Sequence, residues 1–239
     1  MNAPLHLRAR NQLCREIVWR NNAQSGLFEE LFSPERATPR RNFNLIFYSL
    51  GRLCFGQSKF LKKIKNLTIG DPLEKTTKIG ALVSKGHMEK VLHHIQVAKD
   101  EGGILLIGGG QYMAEGRCQN GYFVQPTVFE GLSYDCATNQ EEIFGPVVTL
   151  TPFDYEDEVI KYANSTKYGL SATVWTKDLN KANRMSQLLQ SGIVWINCWL
   201  VRDLRTPFGG VKDSGVGREG GTYALNFFTE TTNVCISYD

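Results

Sequence analysis

The chain has 239 residues, 42% of them hydrophobic and 21% charged, which is ordinary globular usage and room for one large domain or two small ones. Its 27 lysines and arginines against 24 acids leave a formal charge of +3. That balance, with no run of like charges and no aromatic-interleaved basic strip, excludes a nucleic-acid binder. The 6 cysteines, at 14, 54, 118, 136, 198 and 235, are scattered with no CxxC or CxxH. They read as reduced thiols of a cytoplasmic protein, with neither a disulfide frame nor a metal site.

Residues 1–58 show no sustained period of either kind in "RNQLCREIVWRNNAQSGLFEELFSPERATPRRN" and read as a poorly ordered leader foreign to the fold. The apolar run "FNLIFYSL" (Phe43–Leu50) falls far short of the ~20 residues a membrane helix needs. The opening residues also lack the apolar region of a signal peptide.

From Lys59 onward the pattern is regular. "SKGHMEKVLHHIQVAKDEGG" predicts a helix capped by Ser84, apolar at Met88, Val91, Leu92, Ile95 and Ala98, and stopped by Gly102-Gly103. "ILLIGGG" reads as a short buried strand and a turn, and "VVTLTPF" (Val147–Phe153) as a second strand. Asp154 is the predicted cap of a helix carrying Val159, Ile160 and Ala163. "LSATVWT" (Leu170–Thr176) is a strand, Asp178 caps a helix with Ala182, Met185, Leu188 and Leu189, and "GIVWIN" (Gly192–Asn197) is the next strand. Strands of near-continuous apolar residues alternating with helices predict an α/β fold, a parallel sheet flanked by helices. "TPFGGVKDSGVGREGG" (Thr206–Gly221) is a glycine-dense irregular loop. "TETTNVCISYD" is β-prone and, as a terminal strand, needs an edge to pair with, in this chain or another.

Two stretches carry polar groups where a core is expected. In "QEEIFGP" (Gln140–Pro146) two carboxylates stand beside an aromatic ring between apolar runs, and buried acids need polar partners. Arg202 and Arg205 lie between a buried strand and "PFGG". A guanidinium beside an apolar pocket suggests an anion to meet it, and each charge-assisted bond there is worth ~1.5–3 kcal/mol. The bland alternative for both arginines is a surface pair with Asp203. His93 and His94, adjacent on a helix, point in different directions and cannot share a metal.

Taken in order, "IGDP" (Ile69–Pro72), "GALVSKGHMEKV" (Gly80–Val91), "GYFVQPTVFEGL" (Gly121–Leu132), "EEIFGPVV" (Glu141–Val148), "YGLSATVWTKD" (Tyr168–Asp178), "SGIVWINCW" (Ser191–Trp199) and "PFGGVKDSGVGREGG" (Pro207–Gly221) resemble the C-terminal part of the aldehyde dehydrogenase superfamily. "CWLVRDLRTPFGG" looks like the muconic semialdehyde dehydrogenases within it, which oxidise 2-aminomuconic or 2-hydroxymuconic semialdehyde. The resemblance divides the chain into an unmatched leader (1–58), a catalytic-domain segment (59–222) and a tail with an oligomerisation-type strand (223–239), the cofactor domain being missing. It implies NAD as cofactor. Glu142 would accept hydrogen bonds from the nicotinamide ribose hydroxyls, and Phe144 would pack beside the nicotinamide. Phe208 matches the aromatic of the family's substrate funnel, and Arg202 and Arg205 stand where the wider family mostly has uncharged pocket residues. With Phe208 they are the candidate substrate-binding residues, Arg202 foremost, as anchors for a carboxylate on the substrate.

The same resemblance shows what to look for and not find. The family's nucleophile is a cysteine in a GQxC block upstream of IGDP, and the corresponding stretch here, "TPRRNFN", has none. Cys14 in "RNQLC" lies too far upstream, and Cys54 in "GRLCFGQ" too close to IGDP. The general-base block, the oxyanion asparagine and the glycine turn for the pyrophosphate are absent as well. Losing a covalent nucleophile alone costs ~10⁶ in rate. The expectation is therefore no catalytic residue in this chain, no turnover by it alone, and two rival roles. One is a partner of a full-length subunit or of itself, and the other is a binding module for small carboxylates.

Overall fold

The structure, a computed structural model, describes residues 17–21, 43–49 and 53–238, with side chains from Gln57 onward. Strands β1 (Ile17–Asn21) and β2 (Phe43–Ser49) precede helices α1 (Leu53–Lys65) and α2 (Lys85–Asp100). Strands β3 (Ile104–Ile107), β4 (Gln111–Tyr112), β5 (Phe123–Val124) and β6 (Thr127–Glu130) follow, then the single turn α3 (Ala137–Gln140). The alternating half comprises β7 (Pro146–Phe153), α4 (Glu156–Asn164), β8 (Tyr168–Gly169), β9 (Ser171–Trp175), α5 (Leu179–Leu188) and β10 (Ile193–Ile196). Strand β11 (Val211–Lys212) and helix α6 (Gly221–Phe228) close the chain.

Seven strands form the main sheet in the order β10-β9-β1-β2-β7-β6-β3. The pairs β10/β9, β2/β7 and β6/β7 are parallel, while β1 is antiparallel to both its neighbours and β3 to β6. It follows that β10, β9, β2, β7 and β6 all run one way and β1 and β3 run against them. The α/β architecture is as the periodicity predicts, with two reversed strands in a sheet read as parallel. Two pieces of the leader differ from the expectation that residues 1–58 stand outside the fold. "IVWRN" and "FNLIFYS", rich in β-branched and aromatic residues that suit strands, occupy the gap between β9 and β7. The rest of the leader lies outside the described residues.

Alternation along β7 distributes the core over both faces. Val147 packs with Met88, Val91 and Ile95 of α2, and Phe153 with Val159 and Ala163 of α4 and Met185 of α5. Val148 and Leu150 instead meet Phe60 and Ile64 of α1. Successive side chains of a strand point to opposite faces, so α2, α4 and α5 cover one face and α1 the other. The predicted face of α2 is buried, and Ser84 caps the helix by accepting from His87 N at 3.2 Å. Asp178 caps α5, accepting from Asn180 N and Lys181 N. Asp154 is not a cap. That position belongs to Tyr155, and the Glu158 carboxylate reaches back to accept from Asp154 N at 2.8 Å. Strand β3 is a sheet edge with Ile104 and Leu105 exposed, not the buried strand its composition suggests. Residues 229–238 form no strand, and Val234, Ile236 and Tyr238 stand in solvent. Among the described residues no helix is long and apolar enough to cross a membrane.

Candidate functional site

The turn before β7 is held by α2. Ile143 is buried against the helix, between Met88, Val91 and Ile95. Lys90 Nζ donates to the Glu142 carbonyl at 3.0 Å, and His87 Nε2 lies 2.7 Å from the Phe144 carbonyl. Gly145 has to be glycine because a Cβ there would lie 2.6 Å from the Val91 methyls. Clamped this way, Phe144 adopts φ +58°, a conformation that costs a non-glycine residue energy and concentrates at functional positions. The residue is 38% exposed and its ring meets His87 edge-on at 5.9 Å. The acid pair divides: Glu141 is exposed and faces Lys167 at 3.9 Å, whereas Glu142 is half-buried with no described residue bonded to its carboxylate. An acceptor-only group left open beside an exposed aromatic face is suited to a ligand carrying hydroxyl donors and a planar ring.

The loop after β10 is built as firmly. Asn197, at φ +53°, clasps Thr176 at the end of β9, its Oδ1 accepting from Thr176 N at 2.9 Å and its Nδ2 donating to Thr176 O at 2.8 Å. Trp195 stacks edge-on with Trp199 at 4.8 Å and donates from Nε1 to Val201 O at 3.0 Å. The next residue out, Arg202, has its Cζ over the Phe208 ring, 4.0 Å from the centroid, and donates from Nη2 to Glu219 Oε1 at 2.7 Å. Phe208 and Glu219 are themselves joined by a two-bond antiparallel bridge, both N···O distances 2.8 Å. Cation–π contact is worth ~0.5–2 kcal/mol, so ring and carboxylate together hold the guanidinium over Phe208. Glu219 is the residue that sequence reasoning missed. It sits inside "GREGG", and nothing in that string shows that the loop folds back to pair with Phe208.

Arg205 is elsewhere. Its Nε donates to Asp203 Oδ1 at 2.9 Å and its Nη2 to Oδ2, with the side chain 88% exposed. That contact holds the Asp203 carboxyl below its usual range. The structure thus brings Arg202 and Phe208 together and leaves Arg205 on the surface pair. No hydrogen bond, ion pair or ring contact among the described residues joins these groups to Glu142 or Phe144. The two regions share packing: Val148, two positions past Pro146, lies in the cluster of Trp195 and Trp199 against which Phe208 packs.

The glycine-dense stretch approaches its own chain. A Cβ on Gly192 would lie 1.8 Å from the Gly209 carbonyl oxygen, and Arg218 Nη1 donates to Gly210 O at 2.8 Å and Gly217 O at 2.6 Å. Of the described thiols, burial pushes Cys136 up to about 11 and Cys198 up as well, the reverse of what activates a nucleophile. Cys14 lies outside the described residues, and the Cys54 side chain does too.

A family model described as "Aldehyde dehydrogenase family" matches residues 57–234. The chain is 50% identical over 178 residues to a 2-aminomuconic 6-semialdehyde dehydrogenase of Pseudomonas sp, a match covering 74% of this chain and 36% of the relative. It is 42% identical over 205 residues to a 2-hydroxymuconic semialdehyde dehydrogenase of Pseudomonas sp. (strain CF600), covering 80% and 42% respectively. Among solved structures it superimposes on an NAD+ complex of an aldehyde dehydrogenase from Bacillus cereus with a TM-score of 0.76 and 38% identity, covering 86% of this chain and 40% of that one. The chain therefore spans between 36% and 42% of the length of these proteins.

Proposed function

Because the chain belongs to the aldehyde dehydrogenase family, we propose that its residues serve the NAD-dependent oxidation of an aldehyde that also carries a carboxylate, of the muconic semialdehyde type, to the corresponding acid. The observation that carries this reading is Arg202 stacked on Phe208, with one N–H engaged by Glu219. A guanidinium has five donors in a fixed fork, which makes Arg202 the group on this loop able to take a substrate carboxylate with two parallel bonds. Anchoring that end of a conjugated chain fixes where the aldehyde end lies, which is a contribution to rate through positioning.

Glu142 and Phe144 fit the nicotinamide end of the cofactor. The half-buried Glu142 carboxylate, bonded to no described residue, would accept from ribose hydroxyls, and the strained, exposed Phe144 ring would lie against a planar group. Bound NAD supplies the hydride acceptor. The chain's own part is to orient it, through the α2 clamp on the Glu142 and Phe144 carbonyls. No nucleophilic thiol is assigned to this chain, and we place no catalytic residue in it. Its 239 residues do not turn over unaided, and the free thiols agree with a cytoplasmic setting.

Calorimetry with muconate tests the carboxylate site. Arg202→Met should weaken binding at least ~10-fold, the equivalent of one charge-assisted bond, and equal binding would remove Arg202 from the site. Incubation with 2-hydroxymuconic semialdehyde and NAD should yield no NADH, and sustained turnover would refute the claim that the chain is inactive alone.

A second role is favoured by the exposed tail. Val234, Ile236 and Tyr238 are in solvent on a β-prone segment that pairs with no described strand. It suits the sheet edge of a second copy or of a full-length family member. Size-exclusion chromatography after co-expression checks this, and monomeric elution under every condition removes it.

A further inference from the structure

We propose that Glu219 is the internal counter-ion that a substrate carboxylate displaces from Arg202, making this acid a determinant of how tightly the loop holds carboxylate-bearing ligands. The inference rests on the reading of Arg202 as the carboxylate anchor and assigns the adjacent acid a role in it.

The geometry gives Glu219 two functions at once. Its backbone is tied to Phe208 by the bridge, and its carboxylate is tied to Arg202 at 2.7 Å. Both supports of the guanidinium, ring and acid, therefore hang from one rigid pair of residues. Arg202 is partly shielded, at 32% side-chain exposure, while Glu219 is more open at 56%. A partly desolvated cation is costly to leave bare, and with Glu219 in place it never is. The more exposed acid, with no ring against it, is the member that can swing away, while the guanidinium stays over Phe208. An arriving carboxylate then meets a neutral pair, not a free cation. It gains the fork only by pushing aside an acid of like charge, and that acid, still tethered by the bridge, re-takes Arg202 when the ligand leaves. Binding becomes the exchange of one carboxylate for another. The exchange lowers affinity, and it lowers most the affinity for ligands bearing more than one negative charge.

Titration calorimetry of the full chain with muconate decides it. Glu219→Gln keeps size and backbone bonding but removes the charge, and should bind muconate about tenfold tighter, or ~1.4 kcal/mol. Glu219→Asp, too short to keep the pair, should fall between. In both backgrounds Arg202→Met should abolish the gain. Equal or weaker binding by Glu219→Gln, with Arg202→Met still impaired, overturns the counter-ion role and leaves the anchor standing. Binding unaffected by Arg202→Met overturns the anchor and the inference with it. If Glu219→Gln fails to fold, the unmodified chain still decides: the Arg202 Nε–H resonance should shift on titration with muconate and not with hexanal, and a resonance unmoved by muconate refutes the exchange.

Discussion

Val91 and Gly145 approach so closely that a Cβ on the glycine would lie 2.6 Å from both Val91 methyl carbons. The contact joins the buried face of α2 to the turn carrying Glu142 and Phe144, and it makes the helix the ruler that sets where those side chains sit. Gly145 does not have a positive φ, so its requirement is steric. Gly145→Ala should cost ~1–3 kcal/mol by overpacking, measured by urea denaturation. It should also weaken NAD binding if the turn moves. An unchanged midpoint would show that α2 can yield without strain.

Asn197 combines a left-handed backbone with two bonds to Thr176. Replacing it with glycine removes the bonds, worth ~0.5–1.5 kcal/mol each, and relieves the backbone. Alanine removes them and keeps the backbone cost of ~1–2 kcal/mol. Asn197→Ala should therefore be the less stable variant, by roughly that difference, in equilibrium unfolding. The opposite order would mean that the unfolded-state freedom of glycine outweighs the backbone cost that alanine keeps.

Partial burial pushes the Glu101 carboxyl up, but bonds from Thr138 (Oγ1 2.5 Å, N 3.1 Å) and from Ala137 N at 2.8 Å outweigh it, and its pKa lies below the usual range. A lowered folded-state value means stabilisation that is complete above the unfolded pKa, ~4.3, and lost as pH falls through the folded value. Glu101→Gln should thus destabilise at neutral pH by about 1 kcal/mol, solvent screening included. The gap to the parent chain should close below about pH 4, followed by thermal melts across pH.

With Cys136 at about 11 and Cys198 also raised by burial, neither thiol is a thiolate at neutral pH. Mapping of iodoacetamide adducts at pH ~7.5 should find both slower than an unperturbed thiol, whose pKa is ~8.5. A single fast-reacting cysteine protected by an aldehyde would contradict the proposal that this chain carries no nucleophile.

The helices were legible where local chemistry is self-sufficient. Ser84 and Asp178 cap as their positions predict, since an N-cap needs only backbone a few residues ahead. Asp154 fails by one position: Tyr155 holds the cap position without a side-chain bond, and Glu158 within the helix accepts from Asp154 N. The exposure of Ile104 and Leu105 was not legible because an apolar run looks alike in the centre and at the edge of a sheet. The leader strands escaped because IVWRN and FNLIFYS pair across long stretches of chain with β9 and β7.

By itself the sequence determined the α/β character, the face of α2 and the residues matching one enzyme family, because periodicity, caps and motif strings are local. Tertiary structure alone decided which arginine has a ring beneath it, which is held by Asp203 on the surface, and that Glu219 reaches Arg202. Those relations depend on a chain that doubles back to join Phe208 to Glu219, and a bridge between distant backbone atoms leaves no mark in the order of the side chains.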